Sequence, residues 1–250
     1  MTREEKKVVV ISGGMGAVGQ TTAVMMLAEG YRVVLLYRNT PQTEIDIARD
    51  SWGKGVLFIR CDLSHGVEVQ SAIQTVVDQF GHIDVCIHTA VAAIERKKIF
   101  DLDELAFRGQ FEASFFGAFN LFKFAATVMR ERNSGILIAI TSVVAEPGVR
   151  GTRMGAYTTA KLALRGLLRE LYFELRQNGV RVLAVAPDIM KTPLNNDLPD
   201  KYFEFAQMKL DKNLLTPVDV AHAVVYLCSP EGAELNGISL LVETMEATPL

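Results

Sequence analysis

The chain has 250 residues, of which 49% are hydrophobic and 22% charged. This composition supports a sizeable buried core and excludes an intrinsically disordered protein. The 26 Lys and Arg against 29 Asp and Glu give a net charge of −3, without the basic excess or stripe of a nucleic-acid or anionic-membrane surface. No nucleic-acid or membrane partner is therefore expected.

The number and spacing of the cysteines and histidines argue against a disulfide framework and a metal site. The thiols Cys61, Cys86 and Cys228 are odd in number and lack zinc-ligand or Cys-x-x-Cys spacing, so they are predicted to be reduced and buried. The histidines are dispersed, which predicts no metal site. No apolar stretch is long enough for a signal-peptide core or a membrane span, so the expected location is cytoplasmic.

Strand and helix patterns alternate along the chain. Apolar runs predict strands over residues 7–11, 32–37, 56–60, 83–88, 135–141, 180–186 and 238–242. Helical spacing predicts helices over residues 20–29, 44–50, 67–80, 101–132, 157–178 and 217–227. Thr216 is placed as the N-cap of the last helix, with Pro217 in its first turn.

This alternation predicts the fold class. Uniformly apolar strands separated by helices indicate an α/β fold with a doubly wound parallel β-sheet of the Rossmann-like type, flanked by helices on both faces. The sequence contains no linker, low-complexity tract or further repeat. Residues 1–250 are therefore predicted to form a single domain.

A glycine-rich loop stands between the first strand and the first helix. Residues 12–19 read Ser-Gly-Gly-Met-Gly-Ala-Val-Gly, in which Gly14, Gly16 and Gly19 satisfy G-x-G-x-x-G. Glycines let backbone amides approach a pyrophosphate, and the following helix N-terminus adds partial positive charge. The loop predicts a dinucleotide site, with a glycine-rich turn that binds no ligand as the alternative.

The end of the second strand bears on the choice of cofactor. An NAD site normally carries a carboxylate there, but Tyr37 and Arg38 occupy the position and the nearest acid is Glu44. A guanidinium suits a 2′-phosphate, so NADP (NADPH) is the predicted cofactor; NAD is the alternative, with Arg38 then a solvated loop charge. Asp62, after the third strand, is expected to hydrogen-bond the adenine amino group, to cap the next helix, or to do both.

A phenol and an ammonium lie four residues apart near the start of one predicted helix. Tyr157 and Lys161 share a helix face, within about 6 Å at Cβ, and the cation is expected to lower the pKa of Tyr157 from its free value of about 10. Ser142, at the end of the preceding strand, offers a hydroxyl to a carbonyl oxygen as charge develops. Together the three residues predict hydride transfer with Tyr157 as proton donor or acceptor. The Tyr-x-x-x-Lys motif alone would fit two half-exposed side chains on one helix without a catalytic role.

With the glycine loop, the order of elements and the length, these motifs make the chain resemble the compact single-domain members of the short-chain dehydrogenase/reductase family. The resemblance runs from about Lys6 to Val242 and includes Asp62-Leu63, Pro187 with Thr192, and Asn236-Gly237. It implies an NAD(P)-dependent enzyme that interconverts the carbonyl and alcohol forms of a small molecule. It also implies a homodimer or homotetramer built through the two long helices.

The resemblance assigns roles to individual residues. Tyr157 is the general acid/base, Lys161 binds the nicotinamide ribose and tunes Tyr157, and Ser142 orients the carbonyl. Thr192 reaches the nicotinamide end of the cofactor, and Ser114 aligns with the helical Asn of the catalytic tetrad. The full cofactor-binding set is Gly13, Gly14, Gly16, Val18, Gly19, Arg38, Asp62, Leu63, Thr89, Ala90, Lys161, Pro187, Ile189 and Thr192.

The chain also departs from the family pattern. The family's Asn-Asn-Ala-Gly is His88-Thr89-Ala90-Val91, the Gly after Pro187 is Asp188, and the middle glycine of the commoner loop spacing is Ala17. These departures and Ser114 keep two alternatives open: a weakly active or non-catalytic dinucleotide-binding sensor or scaffold, and a non-redox dehydratase or isomerase. His88 either joins a rewired proton relay or is a hydrogen-bonded residue at a strand end.

Residues 188–215 lose clear periodicity and carry apolar side chains among charges, namely Tyr202, Phe203, Phe205 and Met208. They are predicted to form a segment that covers an apolar or bulky substrate, or else to anchor two short helices to the body. Arg150 and Arg153, before Tyr157, either meet an anionic group of the substrate or are solvated loop charges.

Overall fold

The computed structural model describes residues 6–149, 151–210 and 213–243. Residues 1–5, 211–212 and 244–250 of the predicted domain lie outside the described part of the chain. Arg150, one of the two arginines considered for an anionic group, also lies outside it.

One parallel sheet forms the centre of the described chain. Its strands are β1 (Val8–Ser12), β2 (Arg32–Tyr37), β3 (Val56–Arg60), β4 (Val85–His88), β5 (Gly135–Ile140), β6 (Val180–Pro187) and β7 (Ser239–Val242). Their order is β3-β2-β1-β4-β5-β6-β7, with every neighbouring pair parallel. The chain thus builds outward from β1 in both directions, which confirms the predicted doubly wound sheet.

Helices cover both faces of this sheet. They are α1 (Ala17–Ala28), α2 (Gln42–Trp52), α3 (Gly66–Phe80), α4 (Glu104–Phe111), α5 (Gly117–Arg132), α6 (Gly155–Leu175), α7 (Asp200–Leu210) and α8 (Pro217–Cys228). Val8 and Val10 of β1 join the core formed with α3, α5 and α6, whereas Val9 joins the core formed with α1 and α8. Successive side chains of a strand point to opposite faces, so each apolar strand contributes to two cores.

The helix predicted over residues 101–132 is interrupted. After α4, the residues Glu112–Phe116 form a π-helical turn, and α5 then continues to Arg132. A π-turn inserts one residue while keeping the chain helical, so the sequence favours a helix on both sides of the turn and does not mark the insertion. The turn lies beside β4, since a Cβ added to Gly117 would sit 3.4 Å from His88 Cε1.

Thr216 is the N-cap of α8 and Pro217 is its first residue, as predicted. The Asp219 carboxylate accepts hydrogen bonds from the Thr216 backbone N–H and hydroxyl, both at 2.7 Å. These bonds hold the pKa of Asp219 below its usual range. The cap begins α8 directly after Leu215, which forms an isolated bridge with Met190, so the two ends of segment 188–215 lie side by side.

We expect Asp219→Asn to lower the free energy of unfolding by about 1 kcal/mol at pH 7, because an amide is a weaker acceptor than a carboxylate at a helix N-terminus. The folded pKa is lowered, so this contribution is present above a pH of about 4 and is lost as pH falls through the folded pKa. Urea unfolding at pH 7 and pH 3.5 measures it, with Asp50→Asn on exposed α2 as the control. An equal loss at both pH values would contradict the prediction.

Candidate active site

The site lies where the strand order reverses. The glycine loop follows β1, residues 89–98 follow β4, Ser142 follows β5 and Pro187 ends β6, so all four groups meet at the carboxyl edge of the sheet. In open α/β sheets this crevice is the usual place for a ligand.

The glycine loop is shaped by backbone contacts. Gly13 has a positive φ of 64°, and a Cβ there would lie 2.7 Å from the Ala90 backbone nitrogen. A Cβ on Gly19 would overlap the Gly13 carbonyl oxygen. Ala17 is the first residue of α1 and follows the N-cap Gly16, so the helix begins directly at the loop despite the missing middle glycine.

A first cavity of about 430 Å³ extends from this loop to the ends of β2 and β3. Gly13 and Gly16 line one end, and Arg38 and Asp62 line the other. Leu63, Thr89 and Ala90 also line it. These residues fit a dinucleotide, because the glycines leave no side chains in the space that a pyrophosphate would occupy beside the backbone.

Asp62 does not cap α3. Its Oδ1 accepts hydrogen bonds from Ser64 N and Ser64 Oγ, whereas α3 begins at Gly66 after His65, so the capping alternative is wrong. Partial burial opposes ionisation, but the Ser64 bonds and the Arg38 charge hold the pKa of Asp62 below its usual range. Arg38 Nη1 lies 3.6 Å from Asp62 Oδ2, and the Arg38 side chain is 57% exposed.

A second cavity of about 580 Å³ contains Ser142, Tyr157 and Lys161. Thr89 and Val91 line both cavities, so the two spaces adjoin. Other predicted cofactor-binding residues on the wall of the second cavity are Val18, Pro187, Ile189 and Thr192. The remaining wall is largely aliphatic, with Ile94, Val143, Val144, Val149, Leu194 and Leu198.

Tyr157 is 9% exposed. Burial raises its pKa, while the Ser142 hydroxyl and the Arg96 charge act in the opposite direction. The expectation of a lowered pKa is wrong for this structure, because burial outweighs the charges. Tyr157 is therefore a protonated phenol at neutral pH.

Lys161 is more deeply buried, at 3% exposed. Its Nζ donates a hydrogen bond of 2.7 Å to the Ile140 carbonyl oxygen and lies 5.7 Å from the centre of the Tyr157 ring. Burial lowers the pKa of Lys161 to about 7. The amine therefore changes its charge close to neutral pH.

The Ser142 hydroxyl lies between the backbone and the Tyr157 phenol. It donates to the Pro187 carbonyl oxygen and accepts from Val144 N, both at 3.5 Å, which is at the long limit for a hydrogen bond. It also hydrogen-bonds the Tyr157 side chain and so acts to lower the pKa of that phenol. Ser142 and Tyr157 therefore offer adjacent hydroxyl groups to a carbonyl oxygen in the cavity.

His88 and Ser114 lie beneath the site and do not line its wall. Both are fully buried, and Ser114 belongs to the π-helical turn. His88 Nδ1 is 2.9 Å from Ser12 Oγ. Burial, assisted by the Lys161 charge, lowers the pKa of His88 to about 3, which favours a neutral, hydrogen-bonded histidine at a strand end over a proton relay.

Sequence reasoning missed Arg96. It lines the catalytic cavity from the loop after β4, where no periodic pattern marks a position as buried. Arg153 lines the cavity from an exposed position with a positive φ of 55°. Of the four side chains predicted to cover the substrate, Tyr202 lines the cavity, whereas Phe203 is buried elsewhere and Phe205 and Met208 are exposed. Leu194 and Leu198 of the same segment also line the cavity.

Three further observations concern the described residues. Within 6–149, 151–210 and 213–243 no helix has the length and apolar character to span a membrane. The same residues contain no His, Cys, Asp or Glu group arranged to hold a metal ion. The three cysteines are buried free thiols, as predicted.

Comparisons with known proteins agree with this geometry. A family model described as enoyl-(acyl carrier protein) reductase matches residues 14–244. The (+)-cis,trans-nepetalactol synthase of Nepeta racemosa is 30% identical over 247 residues, covering 96% of this chain and 90% of that protein. A mitochondrial borneol dehydrogenase of Lavandula x intermedia is 29% identical over 244 residues, covering 97% and 91%.

The fold has close counterparts among solved structures. A 3-ketoacyl-(acyl-carrier-protein) reductase from Brucella melitensis, complexed with NADH, superposes with a TM-score of 0.87 at 22% identity, over 97% of this chain and 98% of that one. The sequence matches, the sheet order and the Ser142, Tyr157 and Lys161 cavity lead to one assignment. The chain belongs to the short-chain dehydrogenase/reductase family of NAD(P)-dependent oxidoreductases.

Proposed function

We propose that this protein is an NADP(H)-dependent oxidoreductase that interconverts a carbonyl and an alcohol by hydride transfer, with Tyr157 as the general acid/base. The observation that carries the proposal is the adjoining pair of cavities, which joins the glycine loop to Ser142, Tyr157 and Lys161. One end suits a pyrophosphate and the other offers a proton and a hydroxyl to a carbonyl oxygen.

The residues of the first cavity would hold the dinucleotide. Backbone amides near Gly13 and Gly16 would bind the pyrophosphate, and Asp62 would accept from the adenine amino group. When bound, the nicotinamide supplies or accepts the hydride. Thr192 and Ile189 would line the nicotinamide end, where they border the same cavity as Tyr157.

The charges at the end of β2 support NADP over NAD. Arg38 lines the cavity with a largely exposed guanidinium, and Arg60 Nε donates to the Arg38 carbonyl oxygen at 3.3 Å. Arg38 and Glu44 both line the cavity at this edge. The Arg38 guanidinium supports a 2′-phosphate, whereas the Glu44 carboxylate would accept from the ribose hydroxyls in the NAD alternative.

The catalytic groups divide the work on the substrate. Tyr157, protonated at neutral pH, donates its proton to the carbonyl oxygen in reduction and becomes a phenolate. In oxidation this phenolate accepts the hydroxyl proton of the alcohol. Ser142 orients the same oxygen and stabilises its developing charge. Lys161, whose Nζ lies 5.7 Å from the centre of the Tyr157 ring, would bind the nicotinamide ribose and tune Tyr157.

Exposed aromatic and aliphatic side chains support the proposed homodimer or homotetramer. Phe116 and Phe119, at the start of α5, and Leu162 and Phe173, on α6, are each between 42% and 49% exposed. Apolar surface of this kind on adjacent helices is typical of a subunit contact. The proposed substrate is a small molecule and the proposed location is the cytoplasm.

We expect Tyr157→Phe to reduce turnover at least about 100-fold, because the general acid is removed, while NADPH binding is retained. NADPH oxidation with a panel of ketones and quinones measures turnover, and fluorescence titration measures binding. The matched control is Tyr202→Phe, which removes a phenol from the same cavity wall. Unchanged turnover in Tyr157→Phe would refute the mechanism, and product formed without NADPH consumption would favour the non-redox alternative.

We expect Arg38→Leu to raise the Kd for NADPH by about tenfold or more and to leave the Kd for NADH nearly unchanged, because only NADPH carries the 2′-phosphate. Fluorescence titration with both cofactors measures the ratio. Arg49→Leu is the control, since Arg49 pairs with Asp46 on α2 and does not line the cavity. An equal loss for both cofactors would refute the NADP preference.

We expect Lys161→Met to stabilise the cofactor-free protein more at pH 6 than at pH 9, by a difference of about 2 kcal/mol. The unfolded Lys keeps a pKa of about 10.4, so burying the ammonium costs most below pH 7 and the cost falls as pH rises toward the unfolded pKa. Guanidinium chloride unfolding measures both values, with the exposed Lys54→Met as the control. A larger stabilisation at pH 9 would contradict the lowered pKa.

A further inference from the structure

Arg96 places a guanidinium in the wall of the catalytic cavity. Its side chain is only 16% exposed. Nη1 donates to both carboxylate oxygens of Asp197, at 2.6 and 2.7 Å, and Nη2 donates to Asn195 Oδ1 at 2.6 Å. Short bonds to two different side chains fix both the position and the plane of the group.

These bonds connect two loops across the cavity. Arg96 follows β4, whereas Asn195 and Asp197 belong to segment 188–215. Asn195 is itself buried, and its Nδ2 donates 2.9 Å to the Met190 carbonyl oxygen. The guanidinium is therefore preorganised before any substrate enters, so binding to it costs little conformational entropy.

The guanidinium retains unused donors. Of its five N–H groups, three serve Asp197 and Asn195. The Nε–H and the second Nη2–H have no hydrogen-bond partner among the described residues. Arg96 Nε is not one of the fully buried polar atoms that lack a partner, so this donor is accessible and can donate to an oxygen of a bound molecule.

The charges around Arg96 select the kind of oxygen. Asp197 already neutralises the guanidinium, so a substrate carboxylate would compete with that ion pair. The other charged groups that line the cavity are Lys161, Arg153 and Asp188. Lys161 belongs to the catalytic set and Arg153 is exposed, so the neutralised Arg96 is best matched by an uncharged carbonyl or hydroxyl oxygen.

We propose that Arg96 is a specificity-determining residue that hydrogen-bonds a second, uncharged oxygen of an otherwise apolar substrate, while Ser142 and Tyr157 hold the reacting oxygen. The aliphatic side chains of the wall suit an apolar, polycyclic skeleton with an oxygen remote from the reacting carbon, in the part of the cavity that the nicotinamide end would leave open. The inference deepens the proposed function and rests on it.

Two pairs of ketones, each matched in skeleton, test the inference at two separations between the oxygens. They are decalin-1-one against decalin-1,5-dione, and 5α-androstan-3-one against 5α-androstane-3,17-dione. We expect the wild-type protein with NADPH to favour the dione of at least one pair by about tenfold or more in kcat/KM. Where neither ketone of a pair is turned over, the preference is measured instead as the ratio of the Kd values with which the monoketone and the dione bind the protein–NADPH complex.

The Arg96→Met variant is expected to reduce this dione preference to about one, while Arg153→Met, which removes the other wall arginine, leaves it unchanged. Because a loosened segment would weaken both ketones of a pair alike, the ratio separates recognition from a structural effect. Asp197→Asn is expected to shift preference toward the acid 3-oxo-5α-androstane-17β-carboxylate, since the guanidinium then lacks its counter-ion.

The outcomes are distinguishable from failure of the proposed function. A dione preference that is absent from the wild type, or that survives Arg96→Met, overturns the inference even when ketones are reduced. Failure of all four ketones to bind the NADPH complex also overturns it. Absence of NADPH and NADH binding refutes the proposed function itself.

Discussion

The site depends on the close approach of the glycine loop to the chain that leaves β4. Gly13 lies against Ala90, and Thr89 Oγ1 donates to the carbonyl oxygens of Ser12 at 2.7 Å and Gly13 at 3.2 Å. These contacts hold the two loops together at the point where the strand order reverses. Thr89 and Val91, which follow β4, line both cavities, so the two cavities meet at this contact between the loops.

Burial controls the charge state of the catalytic groups. It raises the pKa of Tyr157 and lowers the pKa values of Lys161 and His88 to about 7 and about 3. All three shifts favour the neutral form of the group, because a low-dielectric interior disfavours the charged form. Arg96 is the contrasting case, because Asp197 supplies a counter-ion beside its guanidinium.

The departures from the family pattern are accommodated locally. His88 packs edge-on against Phe122 and is paired with Ser12, so it functions as a core residue behind the site. Asp188 Oδ1 accepts a hydrogen bond of 2.7 Å from Ile189 N, which occupies part of its carboxylate. Neither substitution occludes the cavity, and both leave Ser142, Tyr157 and Lys161 on one wall.

The sequence by itself determined the sheet, the glycine loop and the Tyr157–Lys161 pair, because strand alternation, glycine spacing and helical spacing are local patterns. It did not reveal the π-helical turn at Glu112–Phe116, because the sequence favours a helix on both sides of the turn and does not mark the insertion. It also gave the wrong direction for the pKa of Tyr157, because burial depends on what packs around a residue and not on its neighbours in sequence.

Only the tertiary structure placed Arg96 in the wall of the substrate cavity. Arg96 meets Asn195 and Asp197 across separations of 99 and 101 residues, and no motif links those positions. The ends of β4 and β6 bring them together through the parallel sheet, since loops at one edge converge however far apart they lie in the chain. Local patterns thus specify the scaffold and its reactive groups, whereas long-range packing specifies how those groups are charged and what they can recognise.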